Sequence, residues 1–588
     1  MLRKLLFLLL AILSFPSWIS GQGIKTILIE GTPAIDGNGV FGRDLSGNTF
    51  DKVVINESGQ AAFTGRMRET AGGFFDQQGL FLYEPETDEV LQIARMGQKA
   101  PGTVGNFLSF EGGTTLVKPF LALNDSGQIA MYATATGDVN FPNMTGAGPY
   151  LFSKEAIINI AMEDGADPRN LGTFNLFSSI GLANNGQMAF FGRVEIDSNN
   201  IPFGMFITDS ADNSLKNILM KGDALPNSTD TWEAIDHRGI NNNGYVVIMA
   251  DDSDGDTGEQ QMQDLWIASK DSLERLVNDG DLAPGGNGVF QQITFADIND
   301  SNEIVFTAKL AETSSGTIDD FGIFLSDEEG IHRIAQAGAT PGTGADLSIF
   351  GTPRMNNNGQ IALRARSGNF GGLFLLSKNA AKLLVNHGDS APGSGTFNFT
   401  SSTQFSQLWI NDPGQILFRA GLAGVFDGTN NGAYVVDSDG ILNQVVRIGQ
   451  ALEGSTVEEF DIVGAGSLND AGIGYGNQRP MNNEGQVVFL AELADGRDGI
   501  FIWTAPPPPP PDPEIDSISV DVNDVVVSLD TGIGATYQLR RRDTLNAGDW
   551  QSEGSPADGT GNNIELRHPN ALPTDRQFYD VLITLPES

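Results

Sequence analysis

Short apolar runs alternate along the chain with glycine, asparagine, aspartate and proline, and helical periodicity is absent. In the cleanest stretch, Gln360 to Arg366 alternates as a half-buried strand does. A Gly-Leu-Phe-Leu run from Gly372 and a third run from Ala381 to Asn386 follow, and after the bend from Gly388 a fourth apolar run from Gln404 completes the unit. A two-residue period bounded by turn formers predicts β-strands. The pattern therefore predicts an all-β protein of many short strands.

The runs recur as a unit, and the repeat decides the architecture. INESGQAAFTGRM from Ile55 is followed by relatives from Leu123, Leu182, Ile240, Ile298, Met355, Ile410 and Met481, eight copies of Asn-x-x-Gly before an apolar strand. The fourth-position residues are Gly59, Gly127, Gly186, Gly244, Asn302, Gly359, Gly414 and Gly485, spaced by 68, 59, 58, 58, 57, 55 and 71. A second motif, a strand then Gly-x-x-x-Pro-Gly or a relative, lies out of phase, as in Gly97–Gly102, Gly280–Gly285 and Gly388–Gly393. Asparagine at a turn's first position accepts a backbone hydrogen bond from two residues on, and glycine at its fourth tolerates positive φ. Ala183 and Asn302 are the departures, and asparagine is the next-best residue for the left-handed region. Eight copies of one turn read as a folding device rather than eight sites.

Four short strands in about 60 residues make a propeller blade. The chain begins with half a unit, Ile24 to Val54, and ends the array with the complement, Met481 to Trp503. Joining them predicts an eight-bladed β-propeller over residues 24–505, closed by N- and C-terminal half-blades; seven blades or an open solenoid are the alternatives. These strings resemble the NxxGxxAF tandem-repeat family of secreted bacterial proteins, with Gln60-Ala61-Ala62-Phe63 and Gln187-Met188-Ala189-Phe190 the nearest copies. The resemblance implies a secreted repeat protein and no particular activity.

The start and end of the chain carry different signals. Arg3 and Lys4 precede the apolar Leu5–Phe15, with small residues at Ser20 and Gly21, the pattern of a signal peptide over residues 1–21. The run is short for a membrane span of about 20 residues, and Pro16 interrupts it. Export to the periplasm, cell surface or medium is expected, without a transmembrane segment after cleavage. Pro506–Pro511, extended by Asp512-Pro513, predicts a polyproline II linker over 506–514. Residues 515–588 then read as a small β-sandwich-like domain. Its Arg540-Arg541-Arg542 is the one basic cluster, expected on a solvated strand face.

Composition narrows the chemistry. The 588 residues hold 34 Lys+Arg against 74 Asp+Glu, a net charge of −40, which disfavours nucleic acid and anionic lipid. Cysteine is absent, excluding disulfides, thiolate catalysis and Cys-based metal sites. Asp252, Asp254 and Asp256 with Glu259 give the alternating oxygens that wrap a hard cation, so calcium is the cofactor this loop would take. Thr257 stands where an EF-hand loop has glycine, and a solvated acidic insertion is the competing reading. His387-Gly388-Asp389-Ser390 looks like a protease segment, but the same slot in another unit is Gly280-Asp281-Leu282, so a bend explains both. Gly37-x-Gly39-x-x-Gly42 matches a dinucleotide fingerprint only as a string, with no helix after it. No catalytic residue is assigned. Phe74, Phe75, Phe141 and Phe203 lie in the loops between first and second strands of the unit. In a meander these loops share one face with the Pro-Gly bends. The expected function is binding or surface interaction, with a polysaccharide or protein ligand at that loop face. A polysaccharide-active enzyme using paired carboxylates or a bound cation is the first alternative, and a structural envelope or matrix component the second.

Overall fold

The computed structural model describes residues 23–505 and 515–584, apart from 44–47, 104, 111–120, 137–144, 227–229, 253–261, 317–318, 339–348, 368–369, 400–404, 426–428, 463–476, 532–535, 543–549, 561 and 572–576. The signal segment and the proline linker therefore lie outside the described residues. Its contacts divide the chain into two compact units, Gly23–Ala505 and one that takes in Pro506–Ser588.

The first unit is a β-propeller. Its strands form eight small antiparallel sheets among the described residues, and each sheet is a meander. The third sheet shows the plan: Thr173–Leu182, Met188–Glu195, Phe203–Thr208 and Leu215–Met220 pair in sequence order. The Asn-x-x-Gly turn joins the first strand of each sheet to the second. The Pro-Gly bend carries the fourth strand to the next sheet. The strand after each bend thus opens the following sheet, whereas the sequence unit counted it as the fourth strand of the preceding one. The eighth sheet also departs from an equal sharing of halves. Ser455–Asp461, Val487–Leu493 and Asp498–Trp503 come from the C-terminal side, and Ile24–Ile29 alone is added at their edge, Ile24 opposite Trp503. Phe50–Ile55 belongs to the first sheet instead.

Burial follows from this stacking. Eight hydrophobic clusters each join one sheet to the next: Val54, Ala62 and Leu82 of the first sheet meet Leu123 and Met131 of the second, and so on round. The eighth cluster closes the cycle, with Val488 and Ile500 of the last sheet against Val53 and Phe63 of the first. Apolar side chains point to both faces of each sheet because both are covered, which is why the second strands read as nearly unbroken hydrophobic runs. Seven of the eight third strands carry a Gly-x-aromatic step for a steric reason; the fourth has Asp264 before Trp266. A Cβ on Gly322 would lie 2.7 Å from the Phe324 ring, and one on Gly499 2.5 Å from Phe501. The outermost strands are edges, and edges invite unwanted pairing. Six of the sheets answer with a bulge at one register position of the outer pair, as at Leu80/Phe81 and Ile323/Phe324.

Neighbouring sheets are also tied in twos. An acidic residue ends or directly follows the third strand in the first, third and fifth sheets: Glu84, Asp209 and Asp327. A lysine stands just past the third strand in the second, fourth and sixth. Lys154 meets Glu84 at 2.6 Å, Lys270 meets Asp209 at 2.5 Å and Lys378 meets Asp327 at 3.0 Å.

In the second unit, Ile515–Asp521, Asp524–Asp530 and Asn563–His568 form one sheet, and Thr536–Arg542 pairs with Phe578–Thr584 in another. The two share a core that includes Val527, Leu529, Tyr537 and Leu539. The three arginines are engaged rather than merely solvated. Arg540 pairs with Asp580, Arg541 with Glu553 at 2.6 Å, and Arg540 and Arg542 lie over Trp550 at 5.6 and 4.3 Å.

Candidate functional site

The ring has two ends, and the Asn-x-x-Gly turns gather at one of them. Within a turn, the first asparagine is an internal clamp. Asn124 Oδ1 accepts from Ser126 N (3.1 Å) and Gln128 N (2.9 Å), while its Nδ2 donates to Gln128 Oε1 (2.8 Å). The fourth residue is left-handed throughout, φ +74° at Gly127 and +64° at Asn302. The same Nδ2 also donates to the carbonyl of Ala183 in the next turn at 3.2 Å. Second-position residues make another circuit, each backbone N–H donating to the side-chain oxygen of its neighbour. The order is Glu57 to Asp125, Asn184, Asn242, Asp300, Asn357, Asp412 and Asn483, and Asn483 N returns to Glu57 Oε2 at 2.8 Å. Four carboxylates thus meet at this end without forming a free acidic site, because each accepts a neighbouring amide hydrogen. The sequence identified the turn but not this coupling; the signal available was the polar oxygen at every second position.

Residues Asn477–Pro480 lie across the same end. They belong to the connection from the inner strand of the eighth sheet, yet reach the first four sheets. The Asn477 carbonyl accepts from Leu123 N (2.9 Å) and the Arg479 carbonyl from Ile55 N (2.9 Å). Gln478 Nε2 donates to Ile180 O at 2.8 Å, and the Arg479 guanidinium pairs with Glu57. Beside this strap a cavity of about 110 Å³ remains, lined by Asp297, Asp300, Asn356, Trp409 and Arg479 among others. Burial raises the Glu57 carboxyl above its ordinary range against the opposing pull of Arg479 and the Asn483 amide. Burial also raises Asp297, opposed by Arg354 at 4.0 Å and the Met355 amide.

The other end carries the loops between second and third strands and the Pro-Gly bends. A cleft of about 280 Å³ lies there at the junction of the seventh, eighth and first sheets, lined by Asp51, Arg419, Glu459, Asp461, Glu492 and Asp498 with Phe50 and Phe460. Phe50 starts the strand that ends at the Asn56 turn, and Glu492 is the last residue but one of the strand that leaves the Asn482 turn, which fixes this cleft at the opposite end. Arg419 lies 4.7 Å over the Phe460 ring and its Nε donates to Asn431 Oδ1 at 3.0 Å. Burial lowers its pKa, with Asp461 and Glu459 opposing. Glu459 and Glu492 are register partners on adjacent strands. Arg43 approaches Asp498 at 3.6 Å and Glu492 at 3.8 Å. On the same face Phe203 is 41% exposed, with Arg193 over its ring at 5.6 Å.

Of the predicted calcium ligands, Asp252 ends the strand Val246–Asp252, its backbone opposite Trp232. Asp254, Asp256 and Glu259 lie outside the described residues, as does Phe141. Phe74 and Phe75 fall in a short 3₁₀ turn, Gly73–Asp76. A triad the sequence did not single out, Asp327, Glu329 and His332, brings three ligand atoms within 4.8 Å. Lys378 already supplies a cation there, bonding Asp327 and Glu329, and His332 Nε2 lies 2.9 Å from Asp327. At the His387 bend, Asp389 Oδ2 accepts from Asn386 N (2.7 Å) and His387 Nδ1 from Phe399 N (3.1 Å), so these groups hold the turn.

A family of unknown function, DUF7453, matches residues 17–226 and 160–511. No curated protein matches the chain in sequence. Among solved structures, the chain is similar to the β-propeller domain of the trilobed protease from Pyrococcus furiosus, at 9% identity, over 67% of this chain and 96% of that one, with a TM-score of 0.35. It is similar to the C-terminal WD40 domain of Sif2 at 10% identity, over 83% and 100%, TM-score 0.37. A PL25 polysaccharide lyase, an ulvan lyase bound to -[GlcA(1-4)Rha3S]-, gives 10% identity, 80% and 94%, TM-score 0.30. Likenesses this distant bear on no activity, and the propeller assignment rests on sheet pairing and the cycle of cores.

Proposed function

The chain belongs to that family of unknown function, DUF7453, and we propose that it is an exported, eight-bladed propeller that binds a polysaccharide or protein ligand at its loop-side cleft. The observation that carries this reading is the asymmetry of the two ends. At the turn end the second-position side chains are spent on neighbouring amides and the strap lies across. At the loop end, carboxylates of the first and eighth sheets and Arg419 of the seventh surround an open cleft, and Phe203 is exposed on the same face. Carboxylates beside an aromatic ring suit sugar hydroxyls, which donate to them, or a basic protein segment. Kinship with the NxxGxxAF repeat proteins, export through residues 1–21, a 506–514 spacer and a β-sandwich-like 515–588 domain belong to the same proposal.

The test is binding of the full chain to panels of polysaccharides and proteins, alongside Glu459→Gln/Asp461→Asn. Binding lost in the variant, with its melting temperature kept, supports the cleft. Unchanged binding refutes it. The register pairing of Glu459 with Glu492 favours a second reading, glycoside cleavage by paired carboxylates. Release of reducing ends from a bound polysaccharide, abolished in Glu492→Gln, would establish that reading over binding alone.

A further inference from the structure

We propose that Asn477 is the missing axial link between the third and fourth sheets. Seven of the eight turns pass a side-chain amide hydrogen to the carbonyl of the next: Asn56 to Asn124, Asn124 to Ala183, Asn241 to Asn299, Asn299 to Asn356, Asn356 to Asn411, Asn411 to Asn482 and Asn482 to Asn56. The break falls after residue 183, where alanine has no amide to give. Among the described residues, the Asn241 carbonyl is the one in this circuit that no side-chain amide reaches. The strap places a replacement at that joint. Asn477 Nδ2 lies 2.8 Å from Leu182 O and 3.1 Å from Asn184 Oδ1, both of the third sheet, and 3.2 Å from Asn242 Oδ1 of the fourth. Arg479 Nη2 donates to Asn477 Oδ1 at 2.7 Å, which fixes the amide with its hydrogens toward those three acceptors.

Several features suit a tie rather than a passing loop. Asn477 and Gln478 are each 6% exposed, and Asn477 takes a left-handed φ of +52° to make the turn. The interval from Gly414 to Gly485, 71 residues, is the longest in the array, so the extra chain lies in the connection that supplies the strap. An alanine in the third turn and a long insert in the eighth thus complement each other from opposite halves of the sequence. While the tie is made, strap and turns together cover this end of the axis.

The test is a double-mutant cycle on the full chain by urea unfolding. Asn477→Ala should lower the midpoint. Asn477→Asp should lower it more, since its oxygens would face three acceptors. Ala183→Asn should recover at least half of the Asn477→Ala loss while shifting the parent little. A loss that is the same with alanine or asparagine at 183 overturns the proposal. Should Ala183→Asn not fold, amide hydrogen exchange on Asn477→Ala decides. Exchange about tenfold faster at Asn184 and Asn242, with Asn357 and Asp412 unchanged, supports the tie; a uniform change or none contradicts it.

Discussion

Removing the clamp asparagine should cost different amounts in different turns, and the third sheet says why. Its turn is Ala183-Asn184-Asn185-Gly186, and Asn185 takes over the clamp: Oδ1 accepts from Gln187 N at 2.9 Å and Nδ2 donates to Gln187 Oε1 at 2.7 Å. The sixth turn, Asn356-Asn357-Asn358-Gly359, already has asparagine at that third place. Asn356→Ala therefore recreates the third turn, and Asn358 can swing in as clamp. The buried link to Asn411 O (2.8 Å) is lost, roughly 1–2 kcal/mol, and Asn358 gives up an exposed bond to Asp412 O (2.6 Å) that water can replace. The second turn, Asn124-Asp125-Ser126-Gly127, has no such substitute. Asn124 is fully buried, and Asn124→Ala strips the acceptor from two backbone amides as well as the link to Ala183. Ser126 lies nearer solvent, so water replaces part of that loss, leaving roughly 2–4 kcal/mol. The assay is urea unfolding by tryptophan fluorescence, with amide exchange at Gln128 and Gln360 reporting each turn. Exchange should accelerate tenfold or more at Gln128 in Asn124→Ala relative to Gln360 in Asn356→Ala. Equal losses in the two variants would refute the substitution argument.

Asp297→Asn tests the sign of burial. Because burial raises the Asp297 carboxyl, the wild type should gain stability relative to the variant as pH falls from 7 toward its unfolded pKa, about 4. Asp327 should behave oppositely: burial is outweighed there by hydrogen bonds from Lys378, the Glu329 amide and His332, so the wild-type advantage over Asp327→Asn is lost as pH falls below about 4. Both are read as melting temperature against pH. Lys154→Met should lower stability by about 1 kcal/mol, since Lys154 is half-exposed and the mostly buried Glu84 keeps its bonds from Gln60, and molar salt should shrink the difference. If the Asp252–Glu259 loop takes calcium, the melting temperature falls on adding EDTA and recovers with calcium, but not in Asp254→Asn/Asp256→Asn; an unmoved temperature counts against it.

What could be read from the sequence was what is local. Positive φ at Gly127 or Asn302, and a side chain clamping two residues on, depend on four consecutive residues, so the turn and the strand after it were legible. Membership of a strand in a sheet is a matter of pairing partners far away. The strand Trp232–Ile240 reads equally well as closing one unit or opening the next, and only its register with Val246–Asp252 decides. The same holds for Ile24–Ile29, added alone to three distant strands rather than as part of a half-blade. The strap left one trace, the longest interval of the array, but Asn477 itself carries no motif because the acceptors of its side-chain amide lie 235 to 295 positions away. Loop-face reasoning reached the end where the acidic cleft lies. It did not reach the cleft's residues, since Arg419, Glu459 and Glu492 sit within strands and converge only when sheets seven, eight and one stack. The carboxylate ring at the turn end shows the converse: acids that look available in sequence are consumed by backbone amides.

Closure of the ring can be tested directly because the chain has no cysteine. Lys25 stands opposite Ile502 in the pairing of Ile24–Ile29 with Asp498–Trp503. On mild oxidation, Lys25→Cys/Ile502→Cys should form one intramolecular disulfide, seen by peptide mapping, in a monomer that keeps its melting temperature or gains on it. Thiols that stay reduced in the folded protein, or that link only between molecules, would contradict a ring closed by its first and last strands.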